Sequence, residues 1–362
     1  MASSVQNNRS SPSGNCMCCR VCNNVCWRAF KWIPVLLIVS IITWSYYAYV
    51  IQLCIFTIES TVQQVLYLIF YHILLFMFSW SYCRTIFAQI KPIPEKFKLP
   101  EEEIERLLSA DSEEAQRQIL DNFAKDLPIV TRTMSGSVRY CNRCVLVKPD
   151  RAHHCSLCGR CVLKMDHHCP WVNNCVCFHN YKFFMLFLGY ALVYCTFVMS
   201  TCLPYFIRFW KGGDFGNVAN AGRYHIVFAF FVALMFGISL GSLFGYHCYL
   251  VATNRTTLEA FRAPMFRGGV DKNGFSIGAY GNFKEVFGNQ PCLWLVPVFT
   301  SLGDGCDFPV RREHQLQTFT TPQESYDSMG TTRSDLRSVA NGHETERWRL
   351  CPQKGPGAPA IV

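Results

Sequence analysis

Charge is what this chain lacks most. Only 16% of its 362 residues are Asp, Glu, Lys or Arg, while half are apolar; an ordinary soluble chain is about 25% charged. Residues 32–57, 61–83, 183–207 and 224–254 contain no charged residue. Each run exceeds the roughly 20 residues with which a helix crosses a hydrocarbon core, where the helix satisfies its own backbone. This excludes an ordinary soluble globular protein. The first run is too long and too far from the N-terminus for a cleavable signal peptide. The runs also lack paired acids and any basic row, with His72, His225 and His247 as their readily titratable groups, which argues against a channel or transporter. A different deficiency marks residues 140–180. Apolar periodicity is missing there and turn formers are common, so bound metal is expected to organise what a hydrophobic core cannot.

Basic residues set the orientation. Arg20, Arg28 and Lys31 precede the first run, Arg84, Lys91, Lys96 and Lys98 follow the second, and Lys164 and Lys182 precede the third. Arg255, Arg262 and Arg267 follow the fourth, whereas the first connecting loop carries only Glu59. Both termini and the long middle segment are therefore expected in the cytosol. Arg208, Lys211 and Arg223 in the other outer loop dissent. Four spans nevertheless place both termini on one side, and metal thiolates survive best in a reducing compartment, so most of the 21 cysteines are free or metal-bound.

The chain then divides into a cytosolic cysteine-rich N-terminal segment (1–31) and spans 1 and 2 (32–90). A cytosolic loop (91–182) follows, with a cysteine-rich module at about 139–180, then spans 3 and 4 (183–254). A cytosolic C-terminal region (255–309) and a Gln/Ser/Thr/Arg-rich tail (310–362) complete it, the tail too polar to order itself. Cys16, Cys18, Cys19, Cys22 and Cys26 lack histidine and any repeated spacing, which suits juxtamembrane S-acylation better than metal. Pro100 ahead of Glu101, Glu102, Glu103 and Glu105 signals the start of a solvated helix.

The cysteine-rich module writes one ligand pattern twice. Cys141, Cys144, His154 and Cys161 read C-x2-C-x9-H-x6-C, and Cys155, Cys158, His168 and Cys175 read the same, fourteen residues on. Two closed Cys3His zinc sites account for all eight residues. The fold class expected is an all-α integral membrane protein whose four helices carry a two-zinc module between helices 2 and 3. Cys169 belongs to neither register. It ends the run Asp166-His167-His168-Cys169, where His168 goes to zinc and His167 stands beside a free thiol, with Asp166 beside His167. An imidazole oriented by a carboxylate activates a neighbouring thiol. The same residues also suit a plainer role, in which Asp166 orients a zinc-bound histidine and Cys169 is a spare thiol.

The run CNRCVLVKPDRAHHCSLCGRCVLKMDHHCPWVNNC, from Cys141 to Cys175, resembles the cysteine-rich domain of the DHHC protein S-acyltransferases. The likeness extends from the first span to about Pro309. Thr256-Thr257-Leu258-Glu259 matches that family's TTxE motif, and Asn273 to Gly288, with Asn282 and Phe287, is similar to its C-terminal motif. Thr256 and Glu259 also read as a capping box. The closest likeness is to four-span members of the Golgi and plasma membrane. Two departures are Lys91-Pro92-Ile93-Pro94 in place of a DPG motif and Cys177 in place of a glycine.

The resemblance implies a palmitoyl-type acyltransferase with two structural zinc ions. Cys169 would take a long-chain acyl group from acyl-CoA and pass it to cysteines of membrane-associated substrate proteins at the cytosolic face. His167 would act as base and acid, and Asp166 would orient it. Trp171, Phe184 and Phe187 stand near the nucleophile and could line an acyl cavity whose far end, by resemblance, is closed by Ser45 and Tyr194. Lys148, Arg151 and His153, with Arg143, Arg160 and Lys164 nearby, are candidate CoA cations. Attraction to anionic lipid would explain such cations nearly as well. The competing readings are a non-catalytic membrane-anchored zinc module for partner binding and a RING-like ligase, whose ligand pairs are spaced differently. Membrane anchoring argues against a nucleic-acid partner.

Overall fold

The four charge-free runs are long helices in the computed structural model, which describes residue 26, residues 29–212 and residues 220–311. Cys16, Cys18, Cys19 and Cys22 and the tail from residue 312 lie outside the described residues; Cys26 is exposed. Helix α1 (Ile33–Tyr46) starts with a proline in its first turn, where a missing N–H costs no helical bond. It continues as a π-helical stretch, Tyr47–Ile55. Ser40 and Thr43 hydroxyls donate back to the carbonyls of Leu36 and Val39, both at 2.8 Å, so α1 presents no unpaired hydroxyl to lipid there. Helix α2 (Thr61–Ile86) is capped by Ser60.

Two short helices, α3 (Glu101–Ser109) and α4 (Glu113–Phe123), stand where one solvated helix is expected. The first ends at Ser109, with Ala110 as its C-cap, and Ser112 caps the next, its hydroxyl accepting from Ala115 N at 3.2 Å. Their undersides are not solvated: Ile104, Leu107, Leu120 and Phe123 pack on a buried cluster. After strand β1 (Thr131–Arg132) come three antiparallel hairpins. These are β2 (Tyr140–Cys141) with β3 (Leu146–Val147), β4 (His153–Cys155) with β5 (Arg160–Val162), and β6 (His167–Cys169) with β7 (Asn174–Val176). Helices α5 (Tyr181–Trp210) and α6 (Asn220–Ala252) follow, then α7 (Thr257–Phe261), strands β8 (Met265–Phe266) and β9 (Gly269–Val270), and α8 (Ala279–Phe287). Strand β8 pairs with both β1 and β9, stitching the segment after α6 to the stretch that leads into the cysteine-rich module.

The membrane helices meet along α5, whose residues are the most buried of the four. Tyr49 and Tyr71 stack at 4.5 Å, Phe78 lies on Phe187 at 5.8 Å, and Leu188, Val198 and Cys202 fill the seam. Large apolar residues such as Phe70, Phe76 and Met235 are exposed, as lipid-facing side chains are.

The cysteine-rich module does have an apolar core, contrary to the expectation that metal alone organises it. Val147, Ala152 and Leu163 are buried with Phe97 and Ile129 from before the module and Phe266, Phe275, Cys306 and Phe308 from after α6. Each hairpin contributes too few apolar residues for the pattern to be visible within 140–180, because the opposing half of the core comes from distant segments. Gly288 ends α8 at φ 89°, where a Cβ would run into the Thr300 carbonyl.

Candidate active site

Strand alternation sorts the histidines. Along β6, His167 and Cys169 share one face and His168 takes the other, paired across the hairpin with Cys175. In β4, His154 likewise pairs with Cys161. Two clusters result, Cys141, Cys144, His154 and Cys161, and Cys155, Cys158, His168 and Cys175, with the ligand atoms of each within 4.8 Å of one another. His154 Nδ1 is 3.6, 3.3 and 3.8 Å from the sulfurs of Cys141, Cys144 and Cys161. His168 Nδ1 is 3.7, 3.4 and 3.6 Å from those of Cys155, Cys158 and Cys175. Metal–sulfur and metal–nitrogen bonds of about 2.3 and 2.0 Å at tetrahedral angles set an S···N edge of about 3.5 Å. Each cluster therefore fits one tetrahedral ion. Cys169 belongs to neither cluster.

Asp166 is fully buried. Its Oδ2 accepts from His167 Nδ1 at 2.6 Å and from the Thr257 hydroxyl at 2.8 Å, and its Oδ1 accepts from Thr257 N at 2.9 Å. Burial pushes the Asp166 carboxyl up, but the His167 bond and charge outweigh it and hold the group below the usual carboxylate range. His167 is affected in the opposite sense. Burial disfavours its imidazolium, yet the bond to Asp166 and the Cys169 sulfur raise its pKa to about 9. With Nδ1 engaged by the carboxylate, Nε2 is the ring atom left for proton exchange.

His167 and Cys169 open onto a cavity of about 530 Å³ between α1, α2, α5 and α6. Its lining is largely apolar, with Trp171, Phe184, Phe187, Leu188 and Phe236 among the residues. Ser45 and Tyr194 also line it, their hydroxyls sharing a hydrogen bond of 2.9 Å, and Tyr71 adds a second bond to Tyr194 at 2.8 Å.

A family model described as DHHC palmitoyltransferase matches residues 135–263. A palmitoyltransferase ZDHHC2 of Danio rerio is 59% identical over 285 residues, 78% of each chain. The human palmitoyltransferase ZDHHC2 is 56% identical over 327 residues, 90% of this chain and 86% of its own. The chain belongs to the DHHC palmitoyltransferase family. A palmitoyltransferase ZDHHC15 of Xenopus laevis is 51% identical over 287 residues, 79% of this chain and 84% of its own. As a DHHC palmitoyltransferase the protein is an acyltransferase, and its four apolar helices make it a multi-pass membrane protein.

In this DHHC chain the expected cations separate into two groups. Lys148 and His153 line a second pocket of about 270 Å³ together with Arg132, Arg139 and Arg262. Burial first, and then the Arg139 charge, depress His153 to about 4, so it stands there as a neutral imidazole rather than a cation. Arg151 reaches the same pocket's wall but points its guanidinium inward. With a fully buried side chain, it donates from Nε and Nη2 to the two Glu259 oxygens at 2.8 and 2.7 Å. Its Nη1 and Nη2 also donate to Asn254 Oδ1 and O at 2.8 and 2.9 Å. The role expected of Arg151 as a CoA cation is corrected accordingly: a doubly paired buried guanidinium is a structural tie. Lys164 is partly buried, 3.7 Å from Glu285.

Glu259 completes a capping box with Thr256, so a single carboxylate caps α7 and holds Arg151. Asn282 donates from Nδ2 to the Ala252 carbonyl at 2.7 Å and accepts from Ile277 N at 3.0 Å, anchoring α8 to the end of α6. Arg132, Arg139 and Asn254 were not among the expected site residues. Their isolated positions in sequence carry no pattern. Arg151→Met strands the buried Glu259 carboxylate and is expected to destabilise the module by about 3–5 kcal/mol. Thermal unfolding of the solubilised protein reads this, and an unchanged midpoint would contradict it.

Proposed function

We propose that the protein carries long-chain acyl groups from acyl-CoA to cysteines of membrane-associated proteins at the cytosolic face, through an acyl-enzyme on Cys169. The observation that carries this reading is the shared face of His167 and Cys169, which opens on an apolar cavity while His168 faces a metal cluster. Zinc is the ion that three thiolates and an imidazole select, and closed sites of this type stabilise the fold.

His167, with a pKa of about 9, already holds the shared proton on Nε2 at neutral pH, so in the first half-reaction the Cys169 sulfur attacks as the anion paired with that imidazolium. The sulfur bonds the acyl carbon as the C–S bond to CoA breaks, and the departing CoA thiolate takes that proton. In the second, the thiol of a substrate protein gives its proton to His167 and attacks the same carbon. Cys169 then leaves as the anion, and the proton stays on His167, restoring the starting ion pair. Asp166 holds the imidazole, and Thr257 holds Asp166. Thioester is exchanged for thioester, so orientation matters more than a strong electrophile.

Burying about 14 methylenes of a palmitoyl chain gains roughly 11 kcal/mol at ~0.8 kcal/mol each. An intramembrane cavity supplies that burial beside the thiol. The pocket of Arg132, Arg139, Lys148 and Arg262 has the charge to hold CoA phosphates. Both termini would be cytosolic, by the basic residues flanking the spans, and the Golgi and plasma membrane fit by resemblance.

Peptide mass spectrometry after incubation with a mixed acyl-CoA pool is expected to find a hydroxylamine-labile acyl group on Cys169. Single methylenes discriminate by about 1–3 kcal/mol in a closed pocket. Ser45→Phe is accordingly expected to disfavour sixteen- and eighteen-carbon chains against fourteen by about 10-fold or more, and Tyr194→Ala to shift the adduct towards longer chains. An adduct on another residue, or an unaltered chain distribution in both variants, would refute the nucleophile or the cavity assignment respectively.

A further inference from the structure

The hairpin position and the left-handed fourth residue of the zinc-register turns recur a third time, closed one residue tighter, with Asn173 N donating to the Pro170 carbonyl at 3.2 Å. Val145, Gly159 and Asn173 lie fourteen residues apart and all have left-handed backbone, with φ of 52°, 68° and 46°. Each stands four residues after a cysteine, Cys141, Cys155 or Cys169, and each of those cysteines is the last residue of the first strand of its hairpin. In the first two turns the left-handed residue donates its N–H to the cysteine carbonyl, Val145 N to Cys141 O and Gly159 N to Cys155 O, both at 2.8 Å.

A second ligand, Cys144 or Cys158, stands three residues after the first cysteine in those two turns. In the third, Val172 occupies that place and is fully buried. Continuing the register would set Lys182 and Gly189 where a histidine and a last cysteine belong. Cys169 is thus the first-ligand position of a metal turn whose other ligands are missing, which accounts for a sulfur held in ligand geometry with no ion to bind.

The ions would close the first two turns. Helix α2 closes the third. Tyr82, 3% exposed and stacked on Phe187 at 4.9 Å, donates its hydroxyl to the Trp171 carbonyl at 2.7 Å, inside the turn. Asn174 is the residue paired with Cys169 across the hairpin. Its Nδ2 lies 3.4, 3.1 and 3.1 Å from the carbonyls of Thr85, Ile86 and Ala88, and its Oδ1 accepts from Cys175 N at 2.9 Å. Those carbonyls lie at the C-terminal end of a helix and just beyond it, where backbone acceptors lack intrahelical partners. Both flanks of the Cys169 turn are therefore tied to one helix end, while the sulfur itself is not engaged by either tie.

We propose that Tyr82 and Asn174 are positioning residues for the acyl-transfer reaction, substituting the end of a membrane helix for a third metal ion so that Cys169 keeps the geometry of a metal ligand and the freedom of a nucleophile. The inference rests on Cys169 being the acylated residue.

The test is single-turnover acylation of Cys169 by labelled palmitoyl-CoA, with full-length protein in nanodiscs. A misplacement of the order of an ångström costs up to about 100-fold, so Tyr82→Phe and Asn174→Ala are each expected to slow acylation by about 10-fold or more. The acyl-CoA concentration at half-maximal rate should stay the same, and both variants should retain metal in both clusters. Tyr49→Phe deletes a buried hydroxyl bonded to Thr201 elsewhere in the bundle and should leave the rate unchanged. Should Asn174→Ala fail to fold, Tyr82→Phe decides alone. Rates equal to the parent's, or slowing accompanied by metal loss or by weaker acyl-CoA saturation alone, overturn the positioning role. A parent protein that is not acylated on Cys169 overturns the nucleophile assignment itself.

Discussion

Cys169→Ser is expected to reduce acyl transfer by at least about 1,000-fold, because removing the nucleophile of a covalent mechanism removes the step that every later step needs. Metal content should not change, since Cys169 lies outside both clusters. That pairing of results is the discriminating one. If Cys169 were a structural ligand, its loss would lower metal and activity together. If it were a spare thiol, neither would fall. His167→Ala should cost about 100- to 10,000-fold, the range of general acid–base contributions, and should slow both half-reactions, because one imidazole serves both. The paired measurements are acyl-enzyme formation from labelled palmitoyl-CoA and subsequent transfer to a cysteine peptide. Full activity of Cys169→Ser would end the covalent mechanism proposed here.

The other large effect is expected from the metal ligands. Apparent binding free energies of structural zinc sites are about 10–16 kcal/mol, comparable with the 5–15 kcal/mol that holds a typical domain folded. Cys144→Ala and Cys175→Ala should each release metal and abolish transfer by unfolding the module around the reaction centre. The clusters are interleaved: His154 and Cys155 are neighbours on β4 and belong to different clusters. Losing one ion should therefore weaken the other site as well, giving less than one ion per chain rather than one. Elemental analysis against protein concentration measures this, alongside tryptophan fluorescence of the unfolding module. Thiolates and neutral imidazoles must be deprotonated to bind, so the parent protein should lose metal and activity together as pH falls. Activity that persists in either variant after its metal is gone would show that the ions do not support the site.

Much of this protein is legible from local pattern. The absence of charge over four long runs is a property of composition, and the bilayer leaves a spanning segment few conformations to adopt. The ligand spacing is equally local, because a metal turn is closed by residues three apart and a hairpin brings the other two ligands back. Even the assignment of His168 to metal and His167 to the open face follows from two-residue alternation along β6. The helices at 101–109 and 113–123 are harder to read. Their acids predict a solvated surface, but Ile104, Leu107, Leu120 and Phe123 find apolar partners far away in the chain.

Chain order alone specified which atoms can bind metal, which thiol is left over and which segments enter the membrane, since each depends on spacing within a few turns of backbone. Burial and long-range pairing assigned the rest. Arg151 reads as one more surface cation until Glu259, 108 residues later, is seen to hold it inside. Tyr82 reads as one of many aromatic residues in a membrane helix until its hydroxyl is found on the turn that follows Cys169. A cation or a hydroxyl takes its role from the partner it meets, and that partner is chosen by packing of segments remote in the chain, which no local pattern records.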